Sequence, residues 1–116
     1  MVRTVTRRIL MRGGYQVIEA SNGKEGLAKC QSARFEIDLV LTDIEMPEMN
    51  GAELADRLKA RCPHVRILYM SGYTEDKVMR EKLILPGAPF LEKPFTPAVL
   101  LEKARDVLSP GRQALP

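Results

Sequence analysis

The sequence is poor in the residues from which metal and redox centres are built. It holds two cysteines, Cys30 and Cys62, and one histidine, His64. The cysteines lack metal-ligand spacing and have no His/Cys cluster around them, so neither is expected at a site. They read as small core or helix-flank residues in a reducing compartment. His64 follows Pro63 in a loop and reads as surface. No apolar run approaches the length of a membrane span. No charged-then-apolar leader opens the chain, and no repeat or low-complexity segment stands out. The expectation is a cytoplasmic domain with no membrane contact. At 116 residues there is one core and no room for two. The net charge of +3 is scattered over predicted helices, apart from Arg3, Arg7, Arg8 and Arg12. No RNA- or DNA-reading motif accompanies it, so nucleic acid is not an expected partner and that arginine group reads as a solvated helix face.

What is present is an alternation of helical and strand patterns. Residues 1–12 read as a helix with Val2, Val5, Ile9 and Leu10 on one stripe, stopped by Gly13-Gly14. Tyr15–Ala20 reads as a short strand. Ser21-Asn22-Gly23 opens a helix over Lys24–Ser32, with Leu27 and Cys30 inward. Ile37–Thr42 reads as a strand. A helix over Gly51–Arg61 buries Leu54, Ala55 and Leu58 and ends at Pro63. A strand follows over Val65–Met70, then a weaker helix from Thr74-Glu75 to about Leu83. Phe90–Glu92 is a brief strand. Thr96-Pro97 caps a last helix carrying Leu100, Ala104, Val107 and Leu108 on one face. Such alternation implies an α/β fold whose parallel sheet is covered on both faces.

The stretch Leu39-Val40-Leu41-Thr42-Asp43 organises the rest. An apolar run too short for a helix ends at an acid, as a buried parallel strand does. In open α/β sheets the functional crevice lies at the carboxyl ends of the strands, where Asp43 falls. The loop after it, Ile44-Glu45-Met46-Pro47-Glu48-Met49-Asn50-Gly51, is not a generic turn. Met46 and Met49 read as loop packing.

The segment D-I-E-M-P-E-M-N-G from Asp43 resembles the phosphoacceptor loop of two-component receiver (response-regulator, CheY-like) domains, D-x-x-M-P-x-M-x-G. Tyr69-Met70-Ser71-Gly72-Tyr73 is similar to the strand carrying the family's switch hydroxyl. Phe90-Leu91-Glu92-Lys93-Pro94-Phe95 is similar to its lysine segment. Three collinear motifs make chance similarity improbable. The form L-P-G-A-P-F-L-E-K-P-F-T-P is most like receivers fused to hybrid histidine kinases. The resemblance covers residues 1–108 as a receiver domain and leaves 109–116 as a disordered tail.

The resemblance implies a flavodoxin-like doubly wound sheet of five strands, ordered 2-1-3-4-5. Four are legible here. The family's first, central strand is missing, and with it the acidic pair at its end. Met1-Val2-Arg3 fits the x-V-R that follows that pair, so residues upstream of Met1 are expected in the natural protein, a point its intact mass decides. The gap left is about two strand spacings, roughly 10 Å. Either the second strand shifts to pair with the third, or a strand-swapped homodimer fills it.

For function, the resemblance implies a signalling module rather than an enzyme. Asp43 would be the phosphoacceptor, Ser71 the switch hydroxyl, Lys93 the phosphoryl contact and Phe90 the switch aromatic. Mg²⁺ would be held by Asp43 and the backbone carbonyl of Glu45, weakly, because the acidic pair is absent. Pro94 would follow a cis peptide. The partner would be a histidine kinase or a phosphotransfer protein. A receiver with a deficient metal site, acting as a phosphorylation-independent interaction domain, is the alternative. A remoter one is an Asp-nucleophile phosphohydrolase using Asp43 and Glu45, which the M-P-x-M-x-G loop and the small size disfavour.

Overall fold

The computed structural model describes residues 2–32, 36–46, 49–85 and 87–108. The elements, in chain order, are α1 (Val2–Arg12), α2 (Gly23–Gln31), β1 (Leu39–Asp43), α3 (Gly51–Arg61), β2 (Arg66–Ser71), α4 (Glu75–Arg80), β3 (Phe90–Glu92) and α5 (Pro97–Leu108). Residues 109–116, expected as a tail, lie outside the described residues, as do Pro47 and Glu48 of the loop after Asp43.

Among the described residues the sheet has three strands, all parallel, in the order β1-β2-β3. Side chains alternate faces along each strand, as a pleated backbone requires. From β1 and β2, Leu39, Leu41, Leu68 and Met70 join Leu91 against Leu100 and Val107 of α5 and Ile9 and Leu10 of α1. On the opposite face Val40 and Ile67 pack with Leu54 and Leu58 of α3 and Leu27 and Cys30 of α2. Tyr69, Phe90, Val78 and Ile84 extend that face towards α4. Helices therefore cover both faces, and the architecture is the doubly wound α/β one expected. Leu68 and Leu100 are fully buried, each worth about 1.5–3 kcal/mol of transfer free energy.

Local signals set the helix ends. Asn50 Oδ1 accepts from the backbone N–H of Glu53 at 2.9 Å, capping α3, a contact worth about 1 kcal/mol. Thr74 and Thr96 cap α4 and α5 in the same way through the N–H groups of Lys77 and Val99, both at 3.2 Å. Gly14, just past α1, has φ of 95°, a conformation that favours glycine. Basic residues Lys59 and Arg61 occupy the last turn of α3 and Glu53 its first, matching the helix dipole at both ends.

Three expectations need correction. Tyr15–Ala20 does not form a strand. Among the described residues no strand lies between it and β1, so its backbone has no ladder to join, and β-propensity without a partner does not make a strand. The segment is held by helices instead: the Lys29 ammonium donates to the Glu19 carbonyl, and the Glu19 carboxylate pairs with Arg7 at 3.4 Å. Among the described residues the segment does not shift to pair with β1. Secondly, the inward stripe of α1 is rotated: Val5 is 55% exposed and Thr6 is buried, beside half-buried Ile9 and Leu10. Thirdly, α4 stops at Arg80 rather than near Leu83, as Lys82 takes a left-handed φ of 56° that ends helical hydrogen bonding.

Candidate functional site

The three strands deliver three side chains to one end of the sheet. Asp43 closes β1, Ser71 closes β2, and Lys93 follows β3 directly. Because the strands are parallel and adjacent, their carboxyl ends converge. The ladder runs on past the strands: the N–H of Ile44 donates to the Met70 carbonyl at 2.9 Å, and that of Lys93 to the Ser71 carbonyl at 2.8 Å. Backbone bonds thus fix the spacing of all three residues before any side chain acts.

Asp43 and Lys93 form a direct ion pair between Oδ1 and Nζ, with side chains 37% and 28% exposed. Asp43 Oδ1 itself is buried, and the lysine balances its charge. The rest of the pair is open to solvent. The Lys93–Pro94 peptide is cis, as the resemblance implied.

Ser71 lies at the floor of the site with no exposed surface. Its Oγ donates to Glu45 Oε1 at 2.6 Å and accepts from the Tyr73 backbone N–H at 3.0 Å. Sequence reasoning reached Glu45 through its backbone carbonyl and, in the phosphohydrolase alternative, as an acid beside Asp43. It missed the bond to Ser71, because nothing in a sequence says which way an exposed loop acid turns. Thr42, also missed, is buried, with Oγ1 3.0 Å from the Asp43 carbonyl oxygen and 3.5 Å from Met46 Sδ, which braces the start of the loop. Phe90 is 5% exposed and packs with Tyr69, Val78 and Ile84. It is a core residue in this structure, behind the site rather than in it.

Gly51 closes the loop. Its N–H donates to the Ile44 carbonyl at 2.9 Å, and a Cβ there would stand 2.6 Å from the Asp43 carbonyl oxygen and 3.1 Å from the Ile44 Cα. Both obstacles are backbone, which cannot swing aside as a flexible side chain can. Gly51→Ala is expected to lower stability by roughly 1–3 kcal/mol, the range for overpacking. Denaturant unfolding of the variant beside Ala52→Gly, a control on the neighbouring helical position, measures it. A loss under a few tenths of a kcal/mol would show that the loop tolerates the crowding.

The cysteines and histidine lie elsewhere. Cys30, Asp38, Cys62 and His64 line an open recess of about 700 Å³ at the amino ends of β1 and β2, opposite the Asp43 end. Burial, and then the neighbouring Cys62, push the Cys30 thiol up, so it is a poor nucleophile at neutral pH. Neither cysteine belongs to the site.

Magnesium was expected at Asp43 and the Glu45 carbonyl. Among the described residues no three acidic, histidine or cysteine side chains are grouped to hold a metal ion. Asp43 carries the one carboxylate at the strand ends that faces the lysine, and the Glu45 carboxylate is engaged by Ser71. Mg²⁺ accepts one or two carboxylates and keeps its waters, so this donor set fits a weakly held ion.

A family model described as response regulator receiver domain matches residues 1–105. The sensor kinase CckA of Brucella abortus is 35% identical over 101 residues, 87% of this chain but 11% of that protein. The chemotaxis protein CheY of Thermotoga maritima is 30% identical over 107 residues, 91% of this chain and 88% of that protein. Among solved structures, the receiver domain from the hybrid histidine kinase CckA superposes with a TM-score of 0.75 at 30% identity, covering 93% of this chain and 90% of that one. The chain thus spans about a tenth of one relative and nearly all of another. No helix among the described residues is long and apolar enough to cross a membrane.

Proposed function

The chain belongs to the response regulator receiver domain family of two-component systems, and we propose that it accepts a phosphoryl group on Asp43 from a histidine kinase or phosphotransfer protein. The observation that carries this reading is the Asp43–Lys93 pair at the carboxyl ends of parallel strands, with Ser71 ending the strand between them and its hydroxyl bonded to Glu45. A carboxylate is a weak nucleophile and a phosphoryl group is anionic, so the task is mostly electrostatic. An Asp43 oxygen attacks phosphorus, and the bond from phosphorus to the donor nitrogen breaks. The electron pair leaves with the imidazole, and Asp43 becomes an acyl phosphate. Lys93 neutralises the attacking carboxylate at rest and turns its ammonium to a phosphoryl oxygen as that oxygen gains charge. Ser71 then donates to a second phosphoryl oxygen. Asp43 and the Glu45 carbonyl would hold Mg²⁺, which would supply further positive charge at the site.

Phosphorylation would switch a partner-binding surface through Ser71 and Phe90. Phe90 is paired in register with Tyr69, two residues from Ser71, so an inward shift of Ser71 reaches it through one short stretch of β2. This is a two-state element biased by a local charge. The test is the intact mass of the 116-residue chain after incubation with acetyl phosphate and excess Mg²⁺. An adduct of one phosphate supports the reading.

The thin donor set favours a second reading, an interaction domain that works without phosphate. Both readings share one expectation: Mg²⁺ binding in the millimolar range or weaker, since the described residues offer the site one free carboxylate. Calorimetric titration with MgCl₂ checks it. Micromolar binding would mean that further ligands close the site. An adduct at saturating Mg²⁺ selects the phosphoacceptor; its absence in a folded chain selects the interaction domain.

A further inference from the structure

The Ser71 hydroxyl is committed on both sides. It donates to Glu45 Oε1 at 2.6 Å and accepts from the Tyr73 N–H at 3.0 Å, in a position with no exposed surface. A serine hydroxyl carries a single proton. It can therefore donate to the Glu45 carboxylate or to a phosphoryl oxygen on Asp43, and not to both. The bond to Glu45 is charge-assisted, and such bonds are stronger than neutral ones. Glu45 itself is exposed, on the loop two residues beyond Asp43, so its side chain can leave for water at little cost once a better acceptor arrives.

We propose that Glu45 is a latch on the switch: its carboxylate holds the Ser71 hydroxyl in the unphosphorylated chain and must release it before Ser71 can serve a phosphoryl group. The proposal rests on the phosphoacceptor reading. Glu45 acts through Ser71, so it is a positioning residue. Three anchors make the contact a usable device rather than an incidental surface bond. Ser71 is fixed by backbone bonding to Lys93, Glu45 is tethered to Asp43 through Ile44, and Ile44 is buried and bonded to Met70. The latch and the acceptor therefore share one frame, within which the hydroxyl exchanges one partner for the other. A phosphoryl group on Asp43 also adds negative charge beside the Glu45 carboxylate, which pushes the latch open as the new acceptor forms.

Two measurements on the intact chain test this. The first needs no phosphate. With Glu45→Ala the Ser71 hydroxyl is free to rotate, and the Tyr73 amide loses its fixed acceptor. Its hydrogen exchange should quicken about tenfold, the loss of one bond of this strength. Glu45→Gln, which keeps an acceptor oxygen, should restore most of the protection. Unchanged Tyr73 exchange in Glu45→Ala overturns the latch.

The second is a double-mutant cycle on phosphate uptake from acetyl phosphate. Glu45→Ala should raise the rate or extent several-fold, and that gain should vanish in a Ser71→Ala background. The same gain with and without the Ser71 hydroxyl would mean that Glu45 acts only by repelling the anionic donor, and overturns the latch while leaving the phosphoacceptor reading intact. No adduct in any variant, wild type included, overturns the phosphoacceptor reading and the switch built on it.

Discussion

Asp43→Asn is expected to abolish phosphate uptake, on the order of a thousandfold or more below the parent chain. The substitution keeps the shape of the side chain and removes the attacking oxygen's charge, so the chemistry fails while the loop can stay in place. Stability should move by less than about 1 kcal/mol. The Asp43–Lys93 pair is about one-third exposed, and screened pairs of that kind contribute little. The check pairs intact mass after acetyl phosphate treatment with thermal unfolding of the same sample. An asparagine variant that unfolds far more readily would make any loss of uptake uninformative about the nucleophile. One that stays folded and still gains phosphate would place the acceptor elsewhere.

Lys93→Met should slow uptake by about a hundredfold, the lower end of the range for removing one preorganised donor from a reaction of this kind. Methionine keeps much of the aliphatic stem, so packing changes little. What is lost is the ammonium, first as the counter-charge to Asp43 and then as the contact for a phosphoryl oxygen. Lys93→Arg is not a safe control, since a planar guanidinium does not reproduce a point charge at a fixed short reach. The rate of adduct formation at saturating Mg²⁺ measures the effect. A Lys93→Met chain that matches the parent rate would show that the ion pair organises the resting site and takes no part in transfer.

Both predictions concern residues that the sequence singled out, Asp43 by its place at the end of an apolar run and Lys93 through the resemblance of its segment. Asp43 ends β1 and Lys93 follows β3, and in a parallel sheet strand ends meet. The α3 start was equally plain, because Asn50-Gly51 puts a cap directly before a helical stripe of Leu54, Ala55 and Leu58. The segment Tyr15–Ala20 was misread because its alternation is a local property, whereas a strand needs a neighbour to bond to. The α1 stripe was off by one position because Val5 is more apolar than Thr6, while the direction of the helix against α5 is set by Leu101, Leu100 and their neighbours far along the chain. The bond between Ser71 and the Glu45 carboxylate was invisible for another reason. Its role depends on a side-chain torsion in a loop, and no periodicity records that. Phe90, weighed as core or switch, is buried in the α4-side cluster, a position from which it can follow Ser71 only if the core around Tyr69 yields.

The family membership and the doubly wound fold also bound the wider role. Receivers interact with histidine kinases or phosphotransfer proteins, and the chain's similarity to CckA and CheY includes both a small part of a sensor kinase and nearly the whole of a stand-alone protein.

The central claim is that Asp43 itself carries the phosphate. It is tested most directly by treating the phosphorylated chain with borohydride, which reduces an acyl phosphate to an alcohol, and then mapping the peptides by mass. The account predicts homoserine at position 43 and unmodified carboxylates at Glu45 and Glu48. Reduction at another acid, or a stable phosphate on Ser71 that borohydride leaves untouched, would contradict it.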